Sequence, residues 1–173
     1  ARAVAPMSIA VTLEDELDIS RGEMLAAAHQ PPVVAANFSA SLVWMNAEPL
    51  DPGKSYLLKH TSQTVKARIT AIRHRVNMQT LDAEPAATLE LNSIGVVNVE
   101  TTRPLFLDPY VDNRLTGSFI LIDPVSHATV AAGMVREVLS GREDTAIVAA
   151  IVIRNSEQLR TIETPLTEVG VLV

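Results

Sequence analysis

The chain has 173 residues and a formal net charge of −6 at pH 7, with hydrophobic residues at 47% and aromatics at only 3%. That length suits one domain, or one domain with a piece of another, and the acidic balance argues against general binding to a phosphate backbone, which needs clustered Lys and Arg. The absence of cysteine excludes disulfides, thiolate metal sites and cysteine nucleophiles, and the scarcity of aromatics leaves a core of Val, Ile, Leu and Ala, which favours strands.

The chain opens at "ARAVAPMSIAV" with neither an initiator Met nor a signal-peptide pattern, and no apolar run reaches membrane-spanning length. We expect a cytoplasmic protein without a membrane partner, either processed or a piece of a longer chain. "MSIAVTL", residues 7–13, alternates as a strand and meets the acidic turn "EDELDISRGE", where Gly22 follows Arg21 at a chain reversal. The run "EDELD" reads as solvated carboxylates rather than a catalytic pair. "QPPVV" then interrupts the pattern. Adjacent prolines donate no ladder hydrogen bonds and stiffen the chain, so a domain boundary is expected at residues 29–32.

"NFSASLVWM", residues 37–45, alternates next, with Phe38, Ala40 and Leu42 on one face and Ser39 and Ser41 on the other. "EPLDPGKS" is a turn. Its Gly53-Lys54-Ser55 echoes the end of a phosphate-binding loop. Glu48 stands where that loop needs its first glycine, however, and the following "YLLKH" reads as a strand, so a β-turn is expected. "TVKARITAIRHRV" places Val65, Ala67, Ile69 and Ala71 on one face and Lys66, Arg68 and Thr70 on the other. With Lys59 and His60 on the preceding strand, this concentrates positive charge. A solvated strand face is the expected reading, and a patch that meets an acidic partner surface is the alternative. None of the histidines stands four residues from another, so no zinc site is expected.

"ATLELNSIGVVNVETT" carries two more apolar runs around residues 92–95. The polar loop "LDPYVDNRLTG" follows, then the strand pair "SFILID" and "ATVAAGMV". The loop holds Asp108, Tyr110, Asp112, Asn113 and Arg114 in one short span. Asp and Asn close turns through their own backbone. A guanidinium needs several acceptors, so Arg114 is expected to pair with Asp108 or Asp112 and pin the loop across one end of a barrel, leaving its outer side for a partner. Gly117 at a strand entry and Gly133 inside an apolar strand are expected to mark bulges or close backbone approach. Of the last stretch, "TAIVAAIVI", residues 145–153, reads as a buried strand, and "SEQLRTIE", residues 156–163, as a helical turn or a strand. Regular strands with Gly, Pro, Asn and Asp punctuation, and no helical periodicity, predict an all-β sandwich or barrel.

"TLEDELDISRGEML" resembles the end of the second domain of translation-factor-type GTPases, and "FSASLVWMNAEPLDPGKSYLLKHTSQTVKARITAI" and "TGSFILIDPVSHATVAAGMV" resemble the opening and closing strands of their third domain. More narrowly, "LVWM", "YLLKH", "LNSIGVV", "RPLFLDPYVDNRLTGSFILID" and "ATVAAGMV" are similar to the GTPase large subunit of bacterial sulfate adenylyltransferase, which some bacteria fuse to an adenylylsulfate kinase. The resemblance covers roughly residues 8–139. It implies an antiparallel Greek-key β-barrel of the elongation-factor third-domain type, with six or seven strands. It further implies a remnant of the second barrel at residues 1–30, the third-domain barrel at 33–139 and an unassigned extension at 140–173.

The family's phosphate loop, switch Asp-Gly and guanine-reading Asn-Lys-x-Asp have no match here, so no catalytic, cofactor or metal residue carries over. The resemblance places GTP and magnesium in a GTPase domain outside this chain. It implies a packing role against that domain and against a catalytic small subunit, which makes adenylylsulfate and pyrophosphate from ATP and sulfate. Two other readings stand beside it. One is an RNA-contacting barrel of a translation-type GTPase, disfavoured by net acidity and few aromatics. The other is a free-standing structural barrel that self-associates through its Val/Ile-rich tail.

Overall fold

The computed structural model describes residues 7, 8, 10, 19–27, 31–140, 150–153 and 171–172. Every regular element among them is a strand: β1 (Met24–Ala27), β2 (Val33–Trp44), β3 (Ser55–His60), β4 (Gln63–Val76), β5 (Ala83–Glu84), β6 (Ile94–Leu107), β7 (Ser118–Ile122), β8 (Thr129–Ser140), β9 (Ala150–Ile153) and β10 (Val171–Leu172). The expected strand at residues 7–13 lies largely outside the described residues, as does segment 156–163. No helix among the described residues is long and apolar enough to cross a membrane.

The chain divides into two compact units, Val33–Asp144 and Ala1–Pro32 with Thr145–Val173. In the smaller unit, β1 is the middle strand of a three-stranded sheet, parallel to β9 and antiparallel to β10. The turn before β1 runs through Gly22, whose φ of 102° is open to glycine and costly for other residues. Glu23 N–H donates to the Ser20 carbonyl across that turn at 3.1 Å.

The larger unit is a closed antiparallel barrel. Its sheet order is β3-β7-β8-β2-β6-β4-β5, and a further β3–β4 pairing joins the ends into a six-stranded ring with β5 appended to β4. The strands β3, β4 and β6 follow one another as neighbours, and β2 lies beside β6, which is a Greek-key arrangement. Closure removes the exposed edges that an open sheet would leave. Inward-facing side chains of every strand fill the interior, among them Phe38, Leu42, Trp44, Leu58, Ile69, Val97, Val99 and Leu121, each at most 1% exposed. Phe38 meets Phe119 edge-on with ring centroids 5.5 Å apart, and Trp44 meets Tyr56 in the same manner at 5.8 Å.

Three local expectations are corrected. β2 begins at Val33, directly after the prolines, rather than at residue 37. "ATLEL" is not a strand. It is a loop fastened by Leu50 N–H to the Leu89 carbonyl (2.9 Å) and the Thr88 hydroxyl to the Leu50 carbonyl (2.6 Å), with Leu89 buried as a plug. Ala71 is exposed, because a bulge between Ile69 and Ala71 in the β4–β6 pairing shifts the alternation by one residue and turns Ile72 toward the core instead. Ser39 faces outward as expected, yet it is buried and its Oγ has no hydrogen-bond partner. Its neighbours across the strands are Asn98 and Glu137. Arg73 bonds both of them, at 2.8 and 2.7 Å, so its side chain lies across Ser39.

Candidate functional site

Loop 108–117 spans one end of the barrel between β6 and β7. It is held from both sides: Tyr110 N–H donates to the Val135 carbonyl at 2.9 Å, and Val135 N–H donates to the Gly117 carbonyl at 2.8 Å. Inside the loop, Asp112 and Asn113 N–H both donate to the Pro109 carbonyl, and Gly117 N–H donates to the Asn113 carbonyl at 2.8 Å. Asp108 accepts the Thr116 hydroxyl at 2.5 Å and the Asn113 side-chain amide at 3.5 Å. Asn113 Oδ1 accepts the Leu115 N–H at 3.0 Å.

The expected ion pair is absent. Arg114 is exposed and bonds neither Asp108 nor Asp112; Asp108 Oδ2 instead accepts from Thr116 and Asn113. Backbone bonds and these bonds to Asp108 pin the loop without the guanidinium, which lies at the surface in the segment that holds Val111 (89% exposed) and Leu115 (60%). Arg114→Ala is therefore expected to leave the barrel's stability within about 0.5 kcal/mol of wild type, as exposed substitutions do. Urea unfolding of the variant measures this, and a loss well above that value would show a bond to the loop.

Under the loop, His60 is the last inward side chain of β3 and is 2% exposed. Its Nε2–H donates to the Thr116 carbonyl at 2.8 Å. Burial pushes the His60 pKa below the usual histidine value of 6.5, against smaller upward effects of the Thr116 carbonyl and the Asp108 charge. Above 6.5 the ring is neutral in both folded and unfolded chains. As pH falls through 6.5 the unfolded chain takes up a proton that the folded chain refuses, so stability is lost, by at most about 1.4 kcal/mol per pH unit for one proton. Chemical unfolding between pH 7.5 and 5 is expected to show this slope. His60→Gln, which cannot titrate, should flatten it; an unchanged slope would place its origin elsewhere.

At the opposite end, "DPGKS" forms the expected turn: Lys54 N–H donates to the Asp51 carbonyl (3.1 Å) and Gly53 N–H to Asp51 Oδ1 (2.8 Å). The Lys54 ammonium, just before β3, meets Asp123, just after the neighbouring β7, at 2.5 Å. Asp123 Oδ1 meanwhile accepts the N–H groups of Val125 and Ser126 at 2.9 and 2.8 Å. The Lys54 ammonium and these N–H groups hold the Asp123 carboxyl well below the usual carboxylate range, and Asp123 raises the Lys54 pKa in return. The Lys54–Asp123 tie escaped sequence reading. Its signal was an Asp-Pro turn in "IDPVSH", but the partner lies 69 residues away.

The basic strand is largely neutralised. Arg68 pairs with Glu100 at 2.6 Å, Arg73 with Glu137 at 2.7 Å and Arg75 with Glu84 at 2.9 Å. Lys66 and Lys59 are exposed and have no ion pair among the described residues, and His60 points inward rather than to this face. No cluster of metal-ligating side chains occurs among the described residues. A Cβ on Gly117 would collide with the backbone of Tyr110 and Asn113, and one on Gly133 would enter the Phe119 ring. Both glycines thus mark close packing rather than bulges. The barrel has turns, ties and surfaces, with no cluster among the described residues arranged for chemistry.

A family model described as GTP-eEF1A C-terminal domain-like matches residues 37–136. The chain belongs to this family. Its matched span runs from β2 into β8 and so takes in every strand of the ring. The barrel superposes on Sup35 complexed with GDP with a TM-score of 0.58 at 19% identity, over 64% of this chain and 27% of that one, a likeness of fold. Among curated relatives, the bifunctional enzyme CysN/CysC of Mycobacterium tuberculosis is 46% identical over 82% of this chain and 24% of its own length. Sulfate adenylyltransferase subunit 1 is 43% identical in Alteromonas mediterranea, over 81% of this chain and 30% of its own, and 45% identical in Bacteroides fragilis, over 77% and 28%. The chain therefore spans less than a third of these relatives. This GTP-eEF1A C-terminal-like barrel is more similar in sequence to sulfate adenylyltransferase subunit 1, at 43–45% identity, than to Sup35, at 19%.

Proposed function

We propose that the chain is the non-catalytic β-barrel portion of a sulfate adenylyltransferase GTPase subunit. Its role is packing, against the GTPase domain of the same subunit and against the catalytic small subunit. There ATP and sulfate give adenylylsulfate and pyrophosphate, and GTP hydrolysis drives that step. The observation that carries this reading is the 43% identity to subunit 1 across 81% of the chain. The pairing of Arg68, Arg73 and Arg75 with carboxylates supports a protein partner, since guanidiniums tied in this way are withdrawn from phosphate contacts. GTP and magnesium belong to the GTPase domain on this reading. Val33–Asp144 supplies the barrel, and no nucleotide contact is expected from it.

The test is a transplant. Residues 33–139 replace the matching barrel of the Alteromonas mediterranea subunit 1, and the chimera is assayed with its catalytic subunit for GTP-dependent adenylylsulfate formation. Retained GTP dependence is expected, and a folded chimera without it overturns the proposal. In parallel, calorimetric titration of the 173-residue chain with GTP and magnesium is expected to give no saturable heat. Micromolar binding, about −8 kcal/mol, would place a nucleotide site in this chain and contradict its packing role.

A further inference from the structure

The barrel's outer surface has two different sides. Across β4, β6, β2 and the end of β8, Arg68–Glu100 and Arg73–Glu137 bridge between strands, while Val43 and Ile94 face each other at the end of β2 that pairs with Ala132 of β8. On the side formed by β3, β7 and β8, the outward positions are Leu57, Ile120, Ile122, Ala132 and Met134. They alternate with the inward Leu58, Phe119, Leu121 and Ala131 and lie outside the core. The register makes them neighbours: Leu57 lies opposite Ile122, Ile120 opposite Ala132, and Ser118 opposite Met134. Facing pairs on one side of a sheet stand about 5 Å apart, so Leu57, Ile120, Ile122 and Ala132 form an apolar surface, and Met134, flanked by Ser118 and Ser41, stands at its margin next to Ala132 along β8. Four of them are half-buried, and Met134 is 37% exposed.

The free charges around this surface are mostly cations. Lys59 lies opposite Ile120, and Lys66 opposite Leu57. Arg136 follows Met134 on β8, and Arg114 stands in the loop that enters β7. All four are exposed, and none has an ion pair among the described residues. The carboxylates at the two ends of β7 are already engaged, Asp108 by Thr116 and Asn113, and Asp123 by Lys54. Asp112, exposed at the loop tip, is the acidic exception. Free cations thus border the apolar sheet face, while Arg68, Arg73 and Arg75 are tied to carboxylates elsewhere and Arg103 on β6 is exposed without an ion pair among the described residues.

We propose that the β3–β7–β8 face is the docking surface for a separate acidic subunit, whose contact patch has an apolar centre ringed by carboxylates. An apolar centre with a charged rim is the ordinary anatomy of a protein interface. A predominantly cationic rim serves encounter and orientation between separate chains, which a domain tethered on the same polypeptide does not need. A second copy of this chain would set cation against cation. The inference rests on the parent reading above and identifies the partner with the catalytic small subunit.

The test titrates the 173-residue chain with the catalytic sulfate adenylyltransferase subunit of the same organism, by calorimetry at 50 and 500 mM salt. Met134→Glu and the double variant Lys66→Glu/Arg136→Glu are each expected to weaken binding about ten-fold or more. The loss in the double variant should shrink at high salt, where charges are screened. Thr102→Glu, exposed on β6 with the same charge change as Met134→Glu, is expected to stay within about two-fold of wild type. Ordinary binding by both face variants overturns this surface and leaves the parent reading standing. Absence of binding by the wild-type chain overturns both.

Discussion

Gly117→Ala is expected to lower the unfolding free energy of the barrel by about 3 kcal/mol, a large loss for a change of one methyl group. The reason is space rather than backbone conformation. The new Cβ would lie 2.6 Å from the Asn113 carbonyl oxygen and 2.7 Å from the Tyr110 nitrogen, besides touching Tyr110 Cα. These are backbone atoms and cannot rotate away. The same backbone carries the bonds from Gly117 to Asn113, from Tyr110 to Val135 and from Val135 to Gly117, each 2.8–2.9 Å. Moving the loop to admit the methyl breaks or stretches all three, and each contributes about 0.5–1.5 kcal/mol. Urea unfolding of the variant measures the loss. A value below about 1 kcal/mol would mean that the loop yields freely and is not a fixed cap. Because Thr116 accepts the His60 proton and bonds Asp108, the displaced loop should also expose His60, weakening the pH slope in the same variant.

Gly133→Val is expected to cost a similar amount, about 3 kcal/mol, by a different route. Gly133 faces Phe119 across the β7–β8 ladder, and the ring lies over the glycine where a side chain would be. Even a Cβ would stand 2.6 Å from both Phe119 Cε atoms. The ring cannot retreat inward, because its other side meets Phe38, which is fully buried. Close packing of this kind leaves overpacking to be relieved only by an off-rotamer ring or a strand shift. Here the clash is with a side chain, so a second substitution should relieve it. Phe119→Leu alone is expected to destabilise, yet in the Gly133→Val background it should restore stability, and a double-mutant cycle reads that coupling. Additive losses would show that the two residues do not share the space.

The barrel's ends are tied by Lys54–Asp123 at one and by the Asp108–Thr116–His60 chain at the other. Between them the sheet carries the Arg68–Glu100 and Arg73–Glu137 bridges and, on β3 and β7, the half-buried Leu57, Ile120 and Ile122.

Much of this was legible in the residues. Period-2 alternation in "FSASLVW" and "VKARI", with Pro, Gly and Asn punctuation, determined strands, their inward faces and an all-β class. The lack of a phosphate loop or a guanine-reading motif determined that this stretch matches none of a GTPase's nucleotide-binding motifs. The motif-level resemblance identified the barrel type. What alternation could not supply was neighbourhood. It tells which side of a strand a residue faces but not which residue stands beside it, because that depends on strand order and register. Arg114 thus looked paired to carboxylates a few residues away, while the tertiary structure assigned Asp108 to Thr116 and Asn113. Arg73 found Glu137 from 64 residues away, and one bulge after Ile69 moved Ala71 to the outside. The partition of charge into tied and free cations, and the apolar face that the free ones border, were decided only when barrel closure brought β3, β7 and β8 side by side.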